Sequence, residues 1–288
     1  MQSAYQTNKQ KHYINISGEL LDLSTPVVMG VINLTPNSYY SNSRCAKSID
    51  ALGKAEQMIA EGAKIIDIGG CSTKPGAKII SAQEELDRIV ETCTIVRNAY
   101  SSIILSIDTF RATVVETLFN EIGGFIVNDI SGGDFDETMF DTVAKLKLPY
   151  IINHTSGTPE NMQNNTNYTN VVMDIVRTLQ RKYHILTSIG VNDVIIDPGF
   201  GFGKTLSQNF IILKNLEKLM LIDAPILVGI SRKSMIQKLL ETNVDNALNG
   251  TSVAHMLALQ NGANILRVHD VTEAVQCVRM FNYLNSID

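Results

Sequence analysis

The sequence predicts an α/β fold: a (β/α)8 TIM barrel with a short N-terminal β-hairpin. Three observations lead there. Eight short β-rich runs alternate with longer amphipathic stretches along almost all of the 288 residues. The runs are nearly continuous in apolar residues, which implies a parallel sheet covered on both faces. Each run also ends in a polar or charged group, as the carboxyl-end rim of a barrel requires. A chain of 288 residues, 44% of them hydrophobic, suffices for one barrel, a fold that commonly takes about 250 residues. No low-complexity block or Pro/Gly/Ser linker divides it. Residues 11–288 therefore read as one domain, and residues 1–10 as disordered.

The elements follow in order. "HYINISGELLDLS" reads as a hairpin turning at Ser17-Gly18, placed to cap the bottom of the barrel. The strands are "PVVMGVIN" (26–33), "AKIIDIG" (63–69), "SIILSID" (102–108), "GFIVND" (124–129), "PYIIN" (149–153), "DVIID" (193–197), "PILVGI" (225–230) and "ANILRV" (263–268). Between them, "DALGKAEQMIAEG", "SAQEELDRIVETCTIVRNAY", "TNVVMDIVRTLQRKYHILTSIG" and "SQNFIILKNLEKLML" repeat apolar residues at three- and four-residue intervals, the pattern of a helix packed on a sheet. At the strand ends stand Asn33, Asp67, Asp108, Asn128 with Asp129, Asn153 with His154, Asp197, Ser231 to Lys233, and Arg267 with His269. A lone strand-end Asp often caps a helix. A polar group on all eight strands implies a shared site.

Bulk properties narrow the function. A formal charge of −5 argues against a general nucleic-acid binder, whose footprint is basic. Cys45, Cys71, Cys93 and Cys277 lack metal-ligand spacing and read as free thiols of a reducing compartment. The start "MQSAYQTNKQ" has no apolar core of a signal peptide, and no run approaches the ~20 apolar residues of a membrane span. The expectation is a soluble cytoplasmic protein with small-molecule partners.

"IIDPGFGFGKT" (195–205) resembles a phosphate loop but is one residue short of the Walker spacing, and it fails the dinucleotide pattern as well. Its weight falls on Asp197, at the strand's end. Asp108 is similar: Thr109 reads as the cap of the next helix, and a carboxylate one residue earlier is costly without a partner. Such an acidic pair suits a ring with N–H donors or one that becomes cationic. "GISRKSMIQKLL" sets Ser231, Arg232, Lys233 and Ser234 at a strand-to-helix junction, where free N–H groups and Lys233 would attract an anion. Arg267 and His269, two apart, point the same way on an extended backbone. Beside Asn33 they suggest a phosphate or diphosphate site. "NLTPNSYYSNSRC" and "GGCSTKPGAKII" are polar Pro/Gly loops of the kind that close over a site, with Lys74 able to meet an anion. "GTPENMQNNTNYTN" reads as a solvated excursion.

Taken together, "MGVINLTPNS", "DIGGCSTKPGA", "SIDT", "NDISGG", "HTSGTP", "DPGFGFGKT", "GISRKS" and "LRVHD" resemble, in order and spacing, the blocks of the dihydropteroate synthase family, a transferase of folate biosynthesis. The resemblance runs from Tyr13 onward. It implies a homodimeric barrel that joins a dihydropterin methyl diphosphate to 4-aminobenzoate and releases diphosphate with the help of Mg2+. By that resemblance Asp108, Asn128, Asp197, Phe202, Gly229 and Lys233 would hold the pterin. Asn33, Arg267 and His269 would take the diphosphate, with Asn33 also touching Mg2+. Pro36, Thr73, Lys74, Phe202 and Ser231 would line the aminobenzoate side. Asp108, Asp197, Lys233 and Asn33 would carry the catalysis. The dimer would form through late helices that include "SVAHMLALQNG".

Some blocks depart from the family pattern. Asn37 replaces an aspartate, Lys74 an arginine, Cys71 a frequent glutamate, and Asn153 and Thr155 frequent methionines. Lower turnover, altered aminobenzoate affinity or altered sulfonamide sensitivity would follow from these changes. Two alternatives share the acidic pocket: a weakly active or non-catalytic pterin-binding paralogue, and a pterin-binding methyltransferase module. The latter has no need of Asn33, Arg267 and His269. A Schiff-base aldolase using Lys233 is more remote.

Overall fold

The computed structural model describes residues 13–34, 48–72, 79–157 and 166–287. The first ten residues lie outside them. Strands β1 (Tyr13–Ile16) and β2 (Glu19–Asp22) pair antiparallel as the expected hairpin. Its turn falls on Ser17 and Gly18, both at positive φ (52° and 100°), the geometry a two-residue hairpin needs.

Eight parallel strands follow: β3 (Val27–Asn33), β4 (Ile65–Gly69), β5 (Ile104–Asp108), β6 (Ile126–Asp129), β7 (Tyr150–Asn153), β8 (Val194–Asp197), β9 (Leu227–Val228) and β10 (Ile265–Val268). Their hydrogen-bonded order is β8-β7-β6-β5-β4-β3-β10-β9. A parallel bridge between Ile196 and Ile226 brings the two ends together, so the sheet closes as a (β/α)8 barrel. The outer helices are α1 (Ser48–Glu61), α2 (Ala82–Ala99), α3 (Ala112–Ile122), α4 (Met139–Leu146), α5 (Val171–Ser188), α6 (Leu206–Lys214), α7 (Ser234–Leu239), α8 (Leu248–Gln260) and α9 (Val271–Leu284).

Strand residues alternate between two packings. One set, including Ile66, Ile68, Leu105, Ile107, Val127 and Leu266, packs outward on the helices. The other set faces the barrel axis. At its lowest level Met29, Ile65, Ile104, Ile126, Ile151, Ile195, Leu227 and Ile265 form one apolar cluster with the hairpin residues Ile14, Ile16, Leu21 and Leu23. The hairpin is thus the floor of the barrel, as expected. Below the site both faces of every strand are apolar, which explains the near-continuous apolar runs.

Two local expectations change. "SQNFIILKNLEKLML" is not one helix. It breaks at Asn215, whose side chain bonds the Ile211 carbonyl, and continues as a 3-10 turn, Leu216–Leu221. The three-residue repeat of that turn brings Leu216 and Leu219 into the core together. Thr109 is not the cap of α3 either. The helix starts at Ala112, whose N–H donates to Asp136 Oδ2 at 2.8 Å.

Candidate active site

Counting by twos up from the floor locates the site. The next inward tier is Val31, Asp67, Ser106, Asn128, Asn153, Asp197, Gly229 and Arg267. The tier above begins with Asn33, Gly69, Asp108 and Ile130 and ends with Ser231 and His269. In the parallel register Asp67 pairs with Ser106 and Asn153 with Asp197 within the first tier, while Asp108 of the second pairs with Asn128 of the first and so joins the two. Polar side chains replace apolar ones on the inner face at one height, and they meet there.

Arg267 is the centre of the constellation. Its Nε donates to Asp67 Oδ2 and its Nη2 to Asp108 Oδ2, each at 2.7 Å. Asp67 also accepts from Ser106 Oγ at 2.6 Å and from Asn128 Nδ2 at 3.2 Å. The sequence reading gave Arg267 to a leaving anion; two of its N–H groups already answer carboxylates. Burial works against its charge, but Asp67 and Asp108 hold its pKa above the usual arginine value. For Asp108 the balance goes the other way. Burial, helped by the negative charge of Asp67, outweighs Arg267 and pushes its carboxyl up to about 7.

Asp197 closes β8 with Oδ1 accepting the Gly199 N–H at 2.7 Å. Burial raises its pKa, and Lys233 opposes the shift. Burial likewise lowers Lys233, to about 8, against the pull of Asp197. The Lys233 ammonium donates to the Phe200 carbonyl and lies 4.6 Å from the centre of the Phe202 ring. Gly229 leaves space between these groups: a Cβ there would lie 3.9 Å from both the Arg267 Cβ and Asp197 Oδ2. Asp108, Asp197, Lys233 and Arg267 therefore stand close enough to act on one another as one charged cluster. Their mutual electrostatic influence is recorded in the shifts of Lys233.

Alternation also removes residues. Asp129 points outward, accepting from Tyr150 Oη at 2.6 Å and from the Gly133 N–H at 2.9 Å. His154 is outward too, beside the ring of Tyr168. Arg232 was expected at an anion-attracting junction, but it braces the barrel from outside the cavity. It bonds both Asp270 oxygens (2.8 and 2.9 Å) and the Val244 and Asp245 carbonyls. Ser231 Oγ accepts the His269 N–H at 3.3 Å, tying the last two strands together at the rim. Burial lowers the His269 imidazole to about 4, and Arg267 adds to the shift; the ring is neutral at pH 7.

Beside the charged cluster lies a small apolar shelf of Cys71, Phe110 and Ile130, packed against Ile79, Ile80, Phe135 and Phe202, the last of which meets Lys233. Burial raises the Cys71 thiol, so it contributes packing rather than a nucleophile. Pro36, Thr73 and Lys74, along with Asn37, lie outside the described residues.

Two contributors were given no binding or catalytic role of their own in the sequence reading, Asp67 being named there only as a strand end. Asp67 is the fully buried second partner of Arg267. A carboxylate inside an apolar run was the available signal. Lys204 is only 4% exposed and fastens the Gly199–Gly203 loop from within, its Nζ donating to the carbonyls of Gly199 (2.7 Å), Phe202 (2.8 Å) and His154 (3.1 Å). Thr205 then caps α6 in a reciprocal box with Gln208. The Lys-Thr pair that mimics a phosphate loop is thus a structural clamp.

Comparison with known proteins agrees with this geometry. The family model described as "Pterin binding enzyme" matches residues 29–269. The dihydropteroate synthase of Haemophilus influenzae is 40% identical over 94% of this chain and 98% of its own length. That of Escherichia coli K12 is 36% identical over 91% of this chain and 93% of its own. Among solved structures, Yersinia pestis dihydropteroate synthase with a sulfonamide drug complex superposes with a TM-score of 0.89 at 36% identity, covering 96% of this chain and 99% of that one. The Xanthomonas albilineans enzyme with 4-aminobenzoic acid gives 0.88 at 31% identity, covering 96% and 100%.

Proposed function

The chain belongs to the pterin-binding enzymes, within them to the dihydropteroate synthases, and from that premise we propose how its own residues run the reaction. The reaction condenses 6-hydroxymethyl-7,8-dihydropterin diphosphate with 4-aminobenzoate to give 7,8-dihydropteroate and diphosphate, a step of folate biosynthesis. The observation that carries this reading is the charged cluster of Asp108, Asp197, Lys233 and Arg267 at the inward strand ends.

Asp108, Asn128 and Asp197 hold the donor edge of the pterin, with Lys233 and Phe202 beside the ring and Gly229 leaving room for it. Cleaving the methylene C–O bond builds positive charge on the pterin side and negative charge on the diphosphate. The carboxylates stabilise the first. Arg267, Lys233, the N–H groups of the rim and Asn33 with His269 face the second. Fixed charges aimed at developing charges are commonly the largest catalytic effect. The neutral aromatic amine then needs positioning on the Phe202 shelf more than activation. Ser231, with Pro36, Thr73 and Lys74 from the two rim loops, completes that side. No covalent intermediate with the protein is required.

Among the described residues, no group of three His, Cys, Asp or Glu side chains could hold a metal ion. Asn33 offers one neutral oxygen. That fits Mg2+ arriving on the substrate, since this ion keeps several waters and binds mainly through phosphate oxygens; bound there, it would neutralise the leaving group. Residues Val253 and Leu257 of α8 and Met280, Tyr283 and Leu284 of α9 are exposed, which supports a homodimer built on these helices. No helix among the described residues is long and apolar enough to cross a membrane, and Cys71, Cys93 and Cys277 are free thiols. The free thiols support a reducing setting such as the cytoplasm.

The test supplies dihydropterin diphosphate, 4-aminobenzoate and Mg2+ and measures diphosphate release. Release that depends on aminobenzoate is expected. Pterin binding by calorimetry without release would favour the non-catalytic paralogue.

A further inference from the structure

We infer that the side-chain amide of Asn153 is a substrate-binding group that reads the polar edge of the heterocycle beside Asp197, an inference that rests on the pterin reading above. Asn153 ends β7 in the inward tier of Asn128 and Asp197, and it pairs with Asp197 across the ladder. It is 3% exposed, and its Oδ1 is buried with no hydrogen-bond partner. Desolvating an amide without pairing it is costly, so an orphan in a native site calls for a partner from outside the chain.

Its neighbours on the same tier are already committed. Asn128 donates to Asp67, Arg267 to Asp67 and Asp108, and Asp197 accepts from Gly199. Asn153 alone in this group offers both a donor and an acceptor with no internal claim on its Oδ1. With no bond fixing the two ends of the amide, either can turn toward a ligand. Gly199 makes the approach possible, since a Cβ there would come within 2.5 Å of Asn153 Oδ1. An apolar side chain of similar length would fill the same volume without the orphan. Keeping an amide makes sense if a polar ring edge answers it, and it adds discrimination against rings lacking that edge.

The experiment compares the full chain with Asn153→Leu and Asn153→Met. Calorimetry with 6-hydroxymethyl-7,8-dihydropterin diphosphate and Mg2+, without aminobenzoate, gives Kd; steady-state assays give both KM values; melts of the ligand-free proteins give Tm. The expected result is a Kd weakened about tenfold or more in both variants. The KM for aminobenzoate should stay unchanged and Tm unchanged or raised, because the orphan is gone. A purely structural role would lower Tm and move both KM values together. Equal heterocycle affinity in parent and variants overturns the role of Asn153 alone. Absence of binding to the parent overturns the pterin reading and this role with it.

Discussion

Asp108→Asn should stabilise the protein above pH 7 while crippling it. The carboxyl titrates at about 7 instead of its ordinary 3.8, because burial and Asp67 outweigh Arg267. The native state therefore holds this proton more tightly than the unfolded chain does. The associated stability is complete below about pH 4, is lost as pH rises toward 7, and does not change further above it. A difference of about 3 units at 1.36 kcal/mol each corresponds to about 4 kcal/mol of strain carried by the ionised form. Asparagine keeps the shape of the protonated acid and still accepts from Arg267, whose attraction for the carboxylate is already offset within the raised pKa. The gain is about 4 kcal/mol at pH 8, or roughly 8–16 °C in Tm for a domain of this size. Thermal melts of both proteins from pH 4 to 8.5 would read it. The two curves should converge near pH 4 and separate through pH 7, while turnover falls by at least tenfold. Parallel curves across that range would refute the assignment of Asp108 as a strained, ionisable site carboxylate.

Asp197→Asn removes the carboxylate beside Lys233 and should weaken dihydropterin binding by about 10- to 100-fold by calorimetry; unchanged affinity would take Asp197 out of the pocket. Lys204→Met leaves three loop carbonyls without their shared donor and should cost about 3 kcal/mol, seen as a lower Tm, with the phosphate-free loop failing to hold Phe202. No loss of Tm would mean other contacts fasten the loop. Ile14→Ala cuts the barrel floor, where the side chain is 2% exposed, and should cost about 2–4 kcal/mol in urea unfolding. Its turnover at 25 °C should match the parent, because the floor and the site lie at opposite ends of the barrel; a large fall in turnover would contradict that separation.

The sequence by itself determined the barrel, its floor and most of the strand-end groups that the structure brings together. Strand ends at Asn33, Asp108, Asp197 and Arg267 are visible because a polar group closing an apolar run is a strong local signal, and the hairpin turn at Ser17-Gly18 is encoded in two residues. What it left undecided was which strand-end groups share the cavity. Asp129, His154 and Arg232 stand one residue from Asn128, Asn153 and Ser231, and in a run apolar on both faces no pattern marks the inward side. Only the closed register fixes that: alternation sends neighbours to opposite faces, so a single residue separates an inward-facing group from a structural brace. Nor could sequence pair Arg267 with Asp67, 200 positions apart. Their meeting exists because closure joins the last strands to the first, and buried charge is tolerable only where that closure brings its partner.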